Sequence, residues 1–189
     1  MEMAGTRDAR RRILEATADL VTTRGVDAAS PAAIAERANA GKMSLYRHFS
    51  GKDELVAEAL AERDLDFRAW LIGDPADGTP HERLLALFER AADRADEGGG
   101  SFIGCPYISA RLNMPDDDHP AAAVIVAHKD GMRRELAALL TEIGLPDPEH
   151  RADIVLMLLD GAAVHSVVRG NGDPLRAARA AVPGLITAP

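Results

Sequence analysis

Residues 30–55 read SPAAIAERANAGKMSLYRHFSGKDEL, and two short helices joined by a tight turn are written in them. Ser30 before Pro31 opens a helix: a hydroxyl that accepts from an orphan backbone N–H, then a proline where the missing N–H has no consequence. The segment PAAIAERA then runs to Asn39, which tolerates the left-handed backbone of a turn better than other non-glycine residues. A second short helix is expected over 42–49; Ser50-Gly51 breaks it, and Lys52 begins another. Ile34, Ala38, Leu45 and Phe49 form the inward face, and Ala35 is small where the two helices approach closely. Lys42, Met43, Ser44, Tyr46, Arg47 and His48 make the complementary face, expected to point outward. This division is the outline of a helix-turn-helix, with one helix free to enter a DNA groove.

The rest of the chain reads as helix almost throughout. Upstream, Ile13, Leu14, Thr17, Leu20 and Val21 make one apolar stripe, predicting a first helix over 10–24 that Gly25 stops. Downstream, the helix begun at Lys52 is expected to reach about Leu71, followed by the turn-rich linker GDPADGTP at 73–80. Thr79 is the predicted cap of PHERLLALFERAADRADE. Further helices are expected over about 106–114, 120–143, 148–169 and 174–185. With aromatic residues at 4% and alanine and leucine abundant, strands are disfavoured. The fold class is therefore all-α: an N-terminal three-helix DNA-binding domain over 1–53, then a larger helical domain over 54–189.

Charge supports the same division. The 189-residue chain carries a formal net charge of -8, yet residues 1–52 hold nine Lys or Arg against six Asp or Glu. The remainder holds 13 against 24. A compact basic segment in an acidic protein points to one anionic partner surface rather than a general nucleic-acid coat. A single cysteine excludes an internal disulfide; no apolar leader and no run near the ~18 residues of a membrane span is read. A cytoplasmic protein without membrane association is expected.

The run SPAAIAERANAGKMSLYRHFSGKDELVAEAL resembles the DNA-binding signature of tetracycline-repressor-type (TetR/AcrR-like) transcriptional regulators. In that family the pattern T-x-x-x-I-A-x-x-A-G-V-S-x-G-x-L-Y-x-H-F-x-x-K-x-x-L recurs. Ser30, Ile34, Ala35, Ala38, Leu45, Tyr46, His48, Phe49, Lys52 and Leu55 match it. Asn39, Gly41 and Met43 depart from it, where the family has Gly, Ser and a small residue. Gly41 offers no side chain to cap the third helix, and Met43 changes which bases are read. The resemblance implies phosphate contacts for Ser30, Lys42, Ser44, Tyr46, His48 and Lys52, base reading by Arg47, and a thymine-methyl contact for Met43. It also implies a homodimer on a near-palindromic double-stranded DNA operator, released by a small-molecule effector, and acting as a repressor.

The acidic part shows no enzyme constellation: no G-x-S-x-G, no glycine-rich phosphate loop, no C-x-x-C. No cofactor or metal is called for. Asp116–Asp118 with His119 reads as a helix-capping loop rather than a metal site. Candidate effector-contacting residues are Phe67, Trp70, Phe102, Tyr107, Arg111, His128, Met132, Met157 and His165, with Met114 beside them; the polar ones need partners that a ligand can supply. Cys105, between a glycine-rich loop and a helix start, is either a small apolar filler or an electrophile sensor. The apolar faces of the helices over 120–143 and 148–169 are expected to form a four-helix dimer interface. The alternative to a DNA-binding regulator is a helical small-molecule-binding protein or enzyme whose helix-turn-helix is structural. Effector, operator and regulated genes are not written in the sequence.

Overall fold

The structure, a computed structural model, describes residues 2–114 and 118–187. Its α-helices are α1 (Glu2–Arg24), α2 (Pro31–Arg37), α3 (Lys42–His48), α4 (Lys52–Ile72), α5 (Pro80–Gly98), α6 (Pro106–Leu112), α7 (Pro120–Ile143), α8 (Pro148–Arg169) and α9 (Asp173–Thr187). No strand occurs among the described residues, so the all-α expectation holds. None of the described helices is long and apolar enough to cross a membrane. One helix clearly exceeds its predicted bounds. α1 starts at Glu2 rather than Arg10, and Asp8 pairs with Arg11 and Arg12 on its outer face, which supports helix beyond the apolar stripe. The linker and loop segments hold short 3-10 turns at Val26–Ala28, Pro75–Asp77 and Gly99–Ser101. Asp116 and Asp117 lie outside the described residues.

The chain divides into two compact units, one of Met1–Leu65 with Pro106–Ala127, the other of Asp66–Cys105 with His128–Pro189. In the first, α1 packs on α2, α3 and α6. Ile13, Val21, Ile34, Val56 and Leu60 are fully buried there, each adding about 1.5–3 kcal/mol of apolar burial. Tyr107 on α6 is also fully buried, its hydroxyl donating to the Leu60 carbonyl at 3.1 Å.

In the second unit α9 lies against α5 and α8. Thr79 caps α5 as its sequence predicts: the Glu82 N–H donates to Thr79 Oγ1 at 3.3 Å, and the Thr79 N–H donates back to Glu82 Oε2 at 2.8 Å. Leu84, Leu87 and Phe88 of α5 meet Leu136, Leu139 and Leu140 of α7, Val155 and Leu159 of α8, and Leu175 and Val182 of α9 in one core. This corrects the expected dimer face of α7. Leu136, Leu139 and Leu140 are no more than 2% exposed, so their apolar surface is already spent within the chain. Arg176 of α9 binds Glu89 (2.8 Å), Asp93 (2.9 Å) and Asp96 (2.8 Å) on α5, tying the two helices at their rim.

Candidate nucleic-acid interface and a second-unit cavity

The turn between α2 and α3 is built by local chemistry. Ser30 Oγ accepts the Ala33 N–H at 3.2 Å, which caps α2. At the other end the Ala40 N–H reaches the Ala35 carbonyl (2.9 Å) and the Asn39 N–H the Glu36 carbonyl (3.1 Å). That bond pair is a Schellman closure, and it requires the left-handed φ of 46° found at Asn39. α3 then begins at Gly41, whose cap has no side-chain hydrogen bond.

Arginines of the scaffold lock this unit together. Arg12 Nε donates to the Ala38 carbonyl at 3.1 Å, taking up an acceptor at the end of α2. Arg37 pairs with Asp19 of α1, and Arg10 pairs with Glu58 while its guanidinium stands 5.2 Å from the Phe49 ring centroid. By contrast, among the described residues no carboxylate pairs with Lys42, Arg47 or Lys52. The outer face of α3 presents Lys42, Met43 (77% exposed), Tyr46 (58% exposed) and Arg47 to solvent, with His48 half-buried beside the Phe49 ring. Ser44 does not join them. It was expected to point outward, but at 8% exposure it lies beside Leu45 on the side of α3 that packs against α1 and α2. Tyr46 and Lys52 line one shallow depression with Pro31, so the start of α2, the middle of α3 and the start of α4 converge there.

The first turn of α4 carries its own carboxylates. Glu54 accepts the Ser50 N–H at 2.7 Å and the Ser50 hydroxyl, and these bonds hold its carboxyl below the usual range. His119, preceding α7, accepts the Ala121 N–H on Nδ1 at 3.1 Å and places Nε2 3.3 Å from Asp53 Oδ1. Both acids beside Lys52 thus have partners inside the unit.

The second unit holds a partly open cavity. Phe67, Trp70, Phe102, His128 and Met132, all anticipated, line it together with Arg94, Cys105, Lys129 and Asp160, which were not proposed as ligand contacts. The other anticipated residues lie elsewhere. Tyr107 and Arg111 belong to α6 in the first unit, and Met114 is buried in that unit too. Met157 and His165 face solvent on α8, because Leu156, Leu159, Asp160 and Ala163 take the cavity side of that helix. The signal that could have found Lys129 and Asp160 is a charge standing inside an apolar run, AAAVIVAHK and VLMLLDGAAV. Lys129 Nζ donates to both Asp160 oxygens, at 2.7 and 2.8 Å. Burial nevertheless holds the Asp160 carboxyl above its usual range, against the pull of Lys129. Among the described residues no group of three or more His, Cys, Asp or Glu is placed to hold a metal ion.

Comparison with known proteins places this architecture. Residues 13–59 match the family described as "Bacterial regulatory proteins, tetR family", and residues 111–188 match the "Tetracyclin repressor-like, C-terminal domain". An HTH-type transcriptional regulator of Mycobacterium tuberculosis is 30% identical over 167 residues, spanning 81% of this chain and 86% of the relative. The chain belongs to the tetR family. Its helix-turn-helix is thus that of a DNA-binding transcriptional regulator, and the chain is not an enzyme. The HTH-type transcriptional repressor KstR of Mycolicibacterium smegmatis is 38% identical over 86 residues, 41% of this chain and 39% of that protein. A TetR-family transcriptional regulator from Streptomyces coelicolor shares the fold at a TM-score of 0.80 and 24% identity, covering 95% of each chain.

Proposed function

We propose that this tetR-family protein is a cytoplasmic repressor that binds a near-palindromic operator as a homodimer and leaves it when a small molecule binds. The observation that carries the DNA reading is the distribution of ion pairs. Arg10, Arg11, Arg12 and Arg37 are neutralised within the unit, whereas Lys42, Arg47 and Lys52, clustered around α3, have no carboxylate partner among the described residues. Cations left unpaired on one exposed face are available for phosphate and base edges.

Residues 1–53 form the DNA-binding part and 54–189 the effector and dimerisation part. Arg47 reads a base, its fork suited to the O6 and N7 of guanine, and Met43 meets a thymine methyl. Ser30, Lys42, Tyr46, His48 and Lys52 hold phosphates, while Ser44, being buried, serves packing. Repression is favoured by the similarity to a protein named as a repressor.

Dimerisation is favoured by one stripe on α8. Met157, Gly161, Val164 and Val168 recur at helical spacing and all face solvent. On α9, Ala177, Ala181, Gly184 and Leu185 are exposed as well. Two copies joined through these helices would present two α3 helices, whose spacing must match successive major grooves about 34–36 Å apart. The cavity is the effector site. α4 begins at Lys52 and continues to Phe67 and Trp70, so the helix that opens on a phosphate-binding residue closes on the cavity wall. An effector that distinguishes two positions of α4 by 1–3 kcal/mol changes operator affinity about 5–150-fold.

The test is selection of bound DNA from a random pool, followed by binding of the selected site to Arg47→Ala. A near-palindrome is expected, with discrimination at one base pair per half-site falling by about 1–3 kcal/mol. Recovery of no preferred sequence, or an unchanged preference in Arg47→Ala, refutes the assignment.

A further inference from the structure

The polar groups in the wall of the second unit's cavity are matched within that wall. Lys129 Nζ donates to both Asp160 oxygens, at 2.7 and 2.8 Å, so each charge of the pair already faces its opposite. The Arg94 guanidinium stands 5.5 Å from the Trp70 ring centroid, a cation laid on the wall. His128 is 1% exposed and packs edge-on against Phe67, with 5.7 Å between ring centroids. What the cavity offers a visitor is therefore almost wholly apolar surface, from Phe67, Trp70, Phe102, Met132, Leu156 and Leu159.

We propose that the cavity takes a neutral, apolar molecule, and that the Lys129–Asp160 pair sets this preference by leaving neither of its charges open to a ligand. This rests on the effector reading above and supplies the chemical class of the ligand. An ion entering the cavity gives up its hydration and finds both charges of the pair already satisfied. To reach Lys129, a carboxylate would have to displace Asp160. It would then bear the same burial that holds the Asp160 carboxyl above its usual range. An ammonium seeking Asp160 would have to displace Lys129 and would stand beside that like charge. A neutral ring or hydrocarbon incurs neither cost and keeps the whole of the apolar contact. Removing one partner of the pair leaves a bare charge facing the cavity, so the pair is a determinant of specificity rather than a ligand contact.

The experiment compares cyclohexylmethanol, cyclohexanecarboxylate and cyclohexylmethylamine on the full chain at pH 7. The three probes share one ring and are short enough that the charge must enter with it. Trp70, the only tryptophan of the sequence, reports binding by its fluorescence, with calorimetry as a second readout. The alcohol is expected to bind at least about tenfold more tightly than either ion. Asp160→Asn uncovers Lys129 and should tighten the carboxylate several-fold relative to the alcohol. Adding Lys129→Met to Asp160→Asn removes both charges and should restore the preference, with alcohol affinity within about twofold of the parent chain. If Asp160→Asn fails to fold, the double variant, which buries no lone charge, carries the test. Equal or tighter binding of either ion by the parent chain, no gain of the carboxylate in Asp160→Asn, about tenfold loss of the alcohol in the double variant, or binding of no probe overturns the assignment. Release of the selected operator is followed in parallel. Preference for the alcohol without release leaves the ligand class standing and refutes the effector reading; release by all three probes alike does the reverse.

Discussion

Gly172 is the position where a single methyl group should report on how tightly the second unit is built. It precedes α9, and a Cβ added there would lie 2.5 Å from the Ala92 carbonyl oxygen, 2.8 Å from its carbon and 2.9 Å from the Ala92 Cα. All three are backbone atoms of α5 and cannot rotate aside. The shortest distance must grow from 2.5 Å to at least 3.0 Å, so the α8–α9 connection has to retreat. Retreat pulls on the Gly172 N–H, which donates to Asp96 Oδ1 at 2.7 Å, and on Arg176, which holds the other Asp96 oxygen. Overpacking of this kind costs about 1–3 kcal/mol. A Gly→Ala exchange also removes unfolded-state entropy, a gain of about 0.4–1 kcal/mol. The expected balance for Gly172→Ala is a loss of about 1–2 kcal/mol, readable as a lower urea midpoint by far-ultraviolet circular dichroism. Because the obstacle is backbone, Ala92→Gly should not rescue the variant. A midpoint equal to or above that of the parent chain, or rescue by Ala92→Gly, refutes the reasoning.

Two further outcomes are expected. Replacing Val164 and Val168 by glutamate puts charges on the exposed stripe of α8 without disturbing the intrachain core; sedimentation should show monomers, and operator affinity should collapse with the circular dichroism spectrum retained. A dimer that survives both charges refutes the α8 interface. Acid should destabilise the fold through Asp96, Glu82 and Glu54. The Gly172 N–H and Arg176 hold Asp96 below its ordinary value, and Thr79 and Ser50 do the same for Glu82 and Glu54. A carboxyl lowered in the folded state contributes stability that is present above its unfolded value and lost as pH falls through the folded one. The urea midpoint should therefore drop as pH falls below about 4, and Asp96→Asn should flatten that limb; an identical acid limb in the variant refutes the role of Asp96.

The helix-turn-helix was legible because its signals are local. Ser30-Pro31 starts a helix by its own hydroxyl and ring, Asn39 ends one by its tolerance of a positive φ, and the alternation of Ile34, Ala38, Leu45 and Phe49 with Lys42, Tyr46 and Arg47 falls within two short helices and the turn between them. The same locality fixed the Thr79 cap and the bounds of α7 and α8. Periodicity shows that a face is apolar, but not whether that face finds its partner in the same chain. α7 and α8 looked alike in sequence; folding covered Leu136, Leu139 and Leu140 and left Val164 and Val168 in solvent. Ser44 went inward and Met157 outward for the same reason. The Lys129–Asp160 pair joins residues 31 apart in the chain, and the cavity around it draws on α4, α5, α7 and α8. Short-range rules thus determined which helices form and which residues stand ready for DNA. Only the packing of distant helices decided where the cavity lies, which charges enter it and which apolar stripe remains uncovered, since burial is a property of neighbours that the chain brings together only on folding.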